Sequence, residues 1–201
     1  MDIARTELAE LVCTRISHDL IGNIGALNNV MEILSEAGSV LDESDLSVLT
    51  TAAATLSARQ QFFRLAFGLD TSAVSSDKIA KICCDYLNVI GSRNYKIDFE
   101  CNKIIPEMAK VLCLCLMIGA EVCLRGGHIK VQVGRQVVVE TTSQTALSEP
   151  KIATYKQILQ GQKPAENAAQ FVQLIYLREL LGTKAAITLE SNDNKMVLTI
   201  G

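Results

Sequence analysis

No stretch of this chain is apolar for long enough to cross a bilayer: the longest run, Val111 to Ala120, is about half of what a spanning helix needs. Basic clusters are missing too. Lys and Arg number 19 against 22 Asp and Glu, for a formal charge of −3, and they are scattered, so no run is suited to neutralising nucleic-acid phosphates. The opening Met1-Asp2-Ile3-Ala4-Arg5-Thr6-Glu7 lacks a basic leader followed by an apolar core. These absences predict a cytoplasmic protein with neither a membrane nor a nucleic-acid partner. The seven cysteines show no two-residue spacer of the zinc-knuckle kind, and Cys113 and Cys115 on a helix would point about 200° apart. An odd number of cysteines among apolar neighbours reads as reduced small hydrophobes, neither a disulfide framework nor a metal site. Histidine is scarce, with only two residues, His18 and His128, and no catalytic cysteine signature accompanies His128.

What is present, 49% hydrophobic residues and a positive mean hydropathy over 201 residues, predicts a globular chain with a sizeable core. Residues 3–37 carry apolar positions at spacings of three and four (Leu8, Val12, Ile16, Leu20, Ile24, Leu27, Met31 and Leu34), the signature of one long helix. Gly38-Ser39 closes it. A second helix is predicted from the acidic stretch Asp42 to Asp45 through Leu46, Leu49, Ala53, Leu56, Phe63 and Leu65 to about Phe67. Two long helices and a short loop make an antiparallel hairpin. Such a hairpin buries its apolar stripes either against a second copy or against the rest of its own chain.

Gly68 to Ser76 reads as a connector rich in small and polar residues. Beyond it helix and strand alternate. Helices are expected over 77–91, Pro106 to Leu124, Lys151 to Leu159 and Ala165 to Leu181. Strands are expected at Lys96 to Cys101, His128 to Val133, Gln136 to Thr141, Ala185 to Glu190 and Met196 to Ile200, with Gly134-Arg135 as a two-residue hairpin loop. The second half is therefore an α/β sandwich.

Within the first helix His18 lies two residues from both Ile16 and Leu20, which turns it away from the apolar stripe and into solvent. Its neighbours on that outer face are Leu11, Thr14, Arg15, Ile21, Gly22 and Gly25. Each glycine lowers helix stability by roughly 1 kcal/mol relative to alanine, which fits a face that another molecule approaches closely. Leu11 and Ile21 are expected to be exposed apolar residues at the rim.

The string Ser17-His18-Asp19-Leu20, with Gly25-Ala26 and Asn28-Asn29, resembles the phosphoacceptor box of two-component histidine kinases. More closely, it resembles the alphaproteobacterial histidine phosphotransferases of the ChpT type. That resemblance implies an α+β protein. An N-terminal helical hairpin (1–70) forms a dimeric four-helix bundle and carries the phosphotransfer histidine, and a degenerate histidine-kinase-like α/β sandwich (71–201) follows. It further implies that His18 is the phosphoacceptor and Asp19 an assisting carboxylate. Leu11, Thr14, Arg15, Ile21, Gly22 and Gly25 would then face the partner, and the phosphoryl group would pass between receiver-domain aspartates. The implied partners are a second copy of the chain and the receiver domains of a hybrid histidine kinase and of response regulators. No cofactor belongs to the chain itself; the receiver supplies the magnesium ion.

A working kinase sandwich would carry a magnesium-holding asparagine on its buried helix, followed by Asp-x-Gly-x-Gly. The segment Pro106 to Leu124 has no asparagine, and no Asp-x-Gly-x-Gly occurs in the chain, so autokinase activity is not expected. One departure concerns the fifth position after the histidine, commonly proline in these relatives and Asn23 here, which predicts a weaker helix bend. A different class of function shares all of this architecture: a non-catalytic dimeric adaptor that binds receivers without carrying phosphate.

Overall fold

The computed structural model describes residues 3–37, 42–69, 73–91, 94–164 and 166–201. Helix α1 spans Arg5–Ala37 and α2 spans Glu43–Phe67, the two packing side by side as the predicted hairpin. The Asp42 carboxylate accepts from the Asp45 amide at 2.8 Å and caps α2, satisfying one of the amides that a helix start leaves unpaired. The expected turn at Gly38-Ser39 and the centre of the expected connector, Asp70 to Ser72, lie outside the described residues. Helix α1 continues as α-helix through Asn23, the position where a proline would have interrupted it.

After α3 (Ser76–Ile90), strand β1 (Ile97–Cys101) leads through a 3-10 turn at Pro106–Met108 into α4 (Ala109–Val122). The single helix expected over Pro106 to Leu124 is thus shorter and enters through a tighter turn. Strands β2 (Gly127–Val133) and β3 (Val137–Ser143), helices α5 (Glu149–Leu159) and α6 (Val172–Leu181), and strands β4 (Ile187–Asn192) and β5 (Lys195–Ile200) complete the chain. The sheet order is β1-β2-β3-β5-β4. Among the described residues only β1 and β2 pair in parallel, because α4 carries the chain back between them; the remaining pairs are antiparallel.

Two expectations change in detail. The β2–β3 pairing closes at Val133 opposite Val137, so the loop holds Gly134, Arg135 and Gln136 instead of two residues. The helix expected over Ala165 to Leu181 breaks up. Asn167 takes a left-handed conformation (φ 53°), a 3-10 turn follows at Ala168–Phe171, and α6 begins only at Val172.

Helix α4 is buried from Val111 through Ala120, which explains why its sequence is apolar on all sides. It lies close to the sheet at Gly119, where a Cβ would stand 2.9 Å from Ile129 Cδ1 and 3.0 Å from Thr141 Oγ1. The sheet turns alternate residues inward, with Ile129, Val131, Val139, Met196 and Leu198 all buried, as period-two geometry requires. This core extends without a break into the hairpin through Phe62, Phe63, Leu65, Ala66 and Ile3. Phe62 stacks on Tyr86 of α3 with ring centroids 3.6 Å apart. The half of the hairpin near the chain's N-terminus is therefore seated on the sandwich.

Candidate functional site

His18 stands where the seated half of the hairpin ends. Its side chain is 84% exposed, as the two-residue offset from the apolar stripe dictates. One ring edge is occupied: Nδ1 lies 3.3 Å from Oδ1 of Asp19. An ionised carboxylate only accepts hydrogen bonds, so the tautomer that makes this contact carries its hydrogen on Nδ1 and leaves the Nε2 lone pair toward solvent.

Asp19 is itself held in place. Its Oδ2 accepts from Arg15 Nε at 2.8 Å, one helical turn away, and Arg15 Nη2 lies 2.9 Å from Oε1 of Glu121 at the end of α4. Arg15 Nη1 donates to the Gln170 carbonyl at 2.9 Å, a contact that the 3-10 turn after Asn167 makes available. Burial opposes the Arg15 charge, but Glu121 and Asp19 outweigh it and hold the guanidinium above its ordinary range. Glu121 receives further donors: Tyr155 Oη donates to its Oε2 at 2.6 Å, and Lys151 Nζ donates to its backbone carbonyl at 2.9 Å. Burial, followed by the Glu121 carboxylate, pushes the Tyr155 hydroxyl well above the usual phenol range, so it stays a donor. From α2, Arg59 donates to the Asp19 backbone carbonyl.

Of these groups Arg15, Asp19, Glu121, Lys151 and Gln170 line one side of a cleft of about 750 Å³ between α1, α5 and the 3-10 turn before α6. Thr14, His18, Leu124, Thr154 and Phe171 are also on its wall.

Arg15 and Leu11 depart from the sequence reading. Arg15 is expected to face a partner; it lies on the cleft wall beside His18, but each of its three guanidinium nitrogens already has a partner within the chain, because a carboxylate on α4 and a carbonyl near α6 reach it. Leu11 was expected at an exposed rim, but it is half-buried and packs against the core, because α1 rests there on the sandwich. Ile21 is 65% exposed, and a Cβ at Gly22 or Gly25 would meet no atom within 4 Å, so this face of the chain is open. Thr14 donates its hydroxyl to the Glu10 carbonyl at 2.8 Å within α1.

Sequence reasoning missed Glu121, Tyr155, Lys151, Gln170 and Arg59. Only Glu121 left a signal: a lone carboxylate closing an otherwise apolar buried helix needs a charged or hydrogen-bonding partner. Among the described residues no three His, Cys, Asp or Glu side chains are grouped to hold a metal ion, and no helix is long and apolar enough to cross a membrane.

Fold and site together define a class: a helical hairpin that presents a carboxylate-backed histidine to solvent, seated on a mixed α/β sandwich. No protein-family model matches the chain. It is 33% identical over 138 residues to the Protein phosphotransferase ChpT of Brucella abortus (strain 2308), an alignment covering 65% of this chain and 63% of that relative. A solved bacterial phosphotransferase superposes with TM-score 0.78 at 24% identity, covering 100% of this chain and 98% of that one. The Acinetobacter baumannii histidine kinase AdeS aligns at TM-score 0.44 and 15% identity, over 91% of this chain and 95% of that one. The chain therefore shares the fold of that bacterial phosphotransferase and is similar in sequence to ChpT over about two thirds of its own length, spanning 63% of that relative.

Proposed function

We propose that the chain is a histidine phosphotransferase that relays a phosphoryl group between receiver-domain aspartates through His18, as a homodimer and without autokinase activity. The observation that carries this reading is the His18 ring, with Nδ1 engaged by Asp19 and its other edge exposed in front of a cleft. The likeness to a protein phosphotransferase supports it.

In the first transfer Nε2 of His18 attacks the phosphorus of a receiver's aspartyl phosphate. The P–N bond forms as the P–O bond to the carboxylate breaks, and the bonding pair leaves with the carboxylate. The Nδ1 hydrogen stays on the ring, and Asp19 Oδ1 offsets the positive charge that grows there. In the second transfer a carboxylate oxygen of another receiver attacks the phosphorus, the P–N bond breaks, and its electron pair returns to Nε2. The receiver brings the phosphoaspartate, the magnesium ion and the lysine that balance the charge of the moving group. The relay protein contributes reach, tautomer and alignment.

The test is transfer of labelled phosphate from a phosphorylated receiver to this protein, with His18→Ala in parallel and ATP alone as a control. Label on the wild type and none on His18→Ala is the expected result. Receiver binding without label would establish the non-catalytic adaptor instead, and label from ATP alone would establish a kinase.

A further inference from the structure

Four polar contacts in series join the interior of the sandwich to the imidazole of His18. Tyr155 Oη donates to Glu121 Oε2 at 2.6 Å. Glu121 Oε1 meets Arg15 Nη2 at 2.9 Å. Arg15 Nε donates to Asp19 Oδ2 at 2.8 Å, and Asp19 Oδ1 faces His18 Nδ1 at 3.3 Å. Each carboxylate uses its two oxygens for two different neighbours. The planar guanidinium forks between both carboxylates, which a lysine ammonium on a flexible stem would not reproduce. The side chains of Arg15, Asp19 and Glu121 are only 15–17% exposed, so water competes weakly for these bonds.

We propose that Glu121 and Tyr155 are positioning residues for His18: acting through Arg15, they lock the Asp19 carboxylate in the rotamer that holds hydrogen on Nδ1 and keeps Nε2 free and outward. The proposal rests on the reading of His18 as phosphoacceptor. Its physical basis is the mobility of the unsupported alternative. A carboxylate on an open helix surface samples several rotamers, and a neutral imidazole beside it exchanges its hydrogen between two nitrogens. Only one of those tautomers presents an outward lone pair to an electrophile. In this arrangement the sandwich contributes to the chemistry on the hairpin without touching the phosphoryl group. A purely structural ion pair would tie α1 to α4 equally well but would leave the His18 tautomer unaffected.

The test uses the full-length chain as wild type, Tyr155→Phe, Glu121→Gln and Arg15→Lys. Circular dichroism and thermal melting establish folding. Nitrogen-15 NMR of histidine-labelled protein reads the tautomer, with the His18 ring identified by its loss in His18→Ala. Single-turnover transfer from a saturating phosphorylated receiver reads the reaction. All three variants are expected to fold, bind receiver unchanged and lose Nδ1–H population. Transfer should fall on the order of tenfold to a hundredfold for Glu121→Gln and Arg15→Lys, and less for Tyr155→Phe. Arg15→Lys failing to rescue would show that the fork matters and not the charge alone. Should Glu121→Gln not fold, Tyr155→Phe and Arg15→Lys decide the matter. Folded variants with an unchanged Nδ1–H population would overturn the proposal, even with His18-dependent transfer intact. A tautomer that shifts in the variants, together with a wild-type protein that takes no phosphate, would instead overturn the relay reading and leave the positioning of the His18 ring standing.

Discussion

Asp19 is the residue on which the His18 site turns, because its two oxygens face the imidazole and the guanidinium at once. In Asp19→Asn the ring would face a neutral amide, and Arg15 would keep one carboxylate partner in place of two. Single-turnover transfer is expected to fall by roughly ten- to a hundredfold, measured with labelled receiver phosphate. A second expectation at this scale concerns the thiols. Burial pushes Cys115 up to about 12 and Cys123 up to about 11, and Cys83 and Cys113 are also buried, while Cys13 and Cys84 are exposed. Because the thiolate is the reactive form, iodoacetamide at mildly alkaline pH should alkylate exposed Cys13 in the native protein, and Cys84 more slowly because partial burial raises its thiol. Cys83, Cys113, Cys115 and Cys123 should react only after denaturation, as peptide mass spectrometry would show.

Helix α1 pairs an open glycine face with an ordered polar anchor. Since a Cβ at Gly22 or Gly25 meets nothing within the chain, alanine at either position should stabilise the protein by up to about 1 kcal/mol, measured by urea denaturation. If the receiver docks on this face as proposed, its affinity should weaken in the same variants, because the added methyl would stand where it approaches. A stabilised double variant with unchanged affinity would show that the glycines are not docking features. Gly119 on α4 predicts the opposite sign. There the added methyl would press on Ile129 and Thr141, both buried, and overpacking of this kind costs about 1–3 kcal/mol.

At the scale of the whole molecule the hairpin divides into two halves. The half bearing Leu8, Leu11, Ile16, Leu20, Phe62 and Phe63 joins the common core. The half beyond His18 leaves Ile24, Met31, Ile33, Leu46 and Val48 between 41% and 65% exposed together with Ile21. Exposed apolar residues on both helices fit an association surface, and pairing with the same hairpin of a second copy would cover those on the inward face in the proposed four-helix bundle. Analytical ultracentrifugation should find a dimer for the wild type. It should find a monomer with unchanged secondary structure for Met31→Lys combined with Leu46→Lys. A monomeric wild type would refute the dimer.

Local pattern alone determined the hairpin, the alternation of strands and helices after it, the buried character of α4 and the outward placement of His18, because periods of 3.6 and 2 are written in the order of apolar residues. It also paired His18 with Asp19, which are adjacent in the chain. Tertiary structure alone decided what Arg15 does, because Glu121 and Gln170 reach it from more than a hundred residues away, and no local pattern encodes that meeting. The left-handed turn at Asn167 that breaks the expected long helix is likewise set by its surroundings, since propensity favoured continuing the helix and the contact with Arg15 depends on the carbonyl that the turn presents. Leu11 shows the same limit. A helical wheel says which residues share a face, but which faces meet another element is settled only when the hairpin seats on the sandwich.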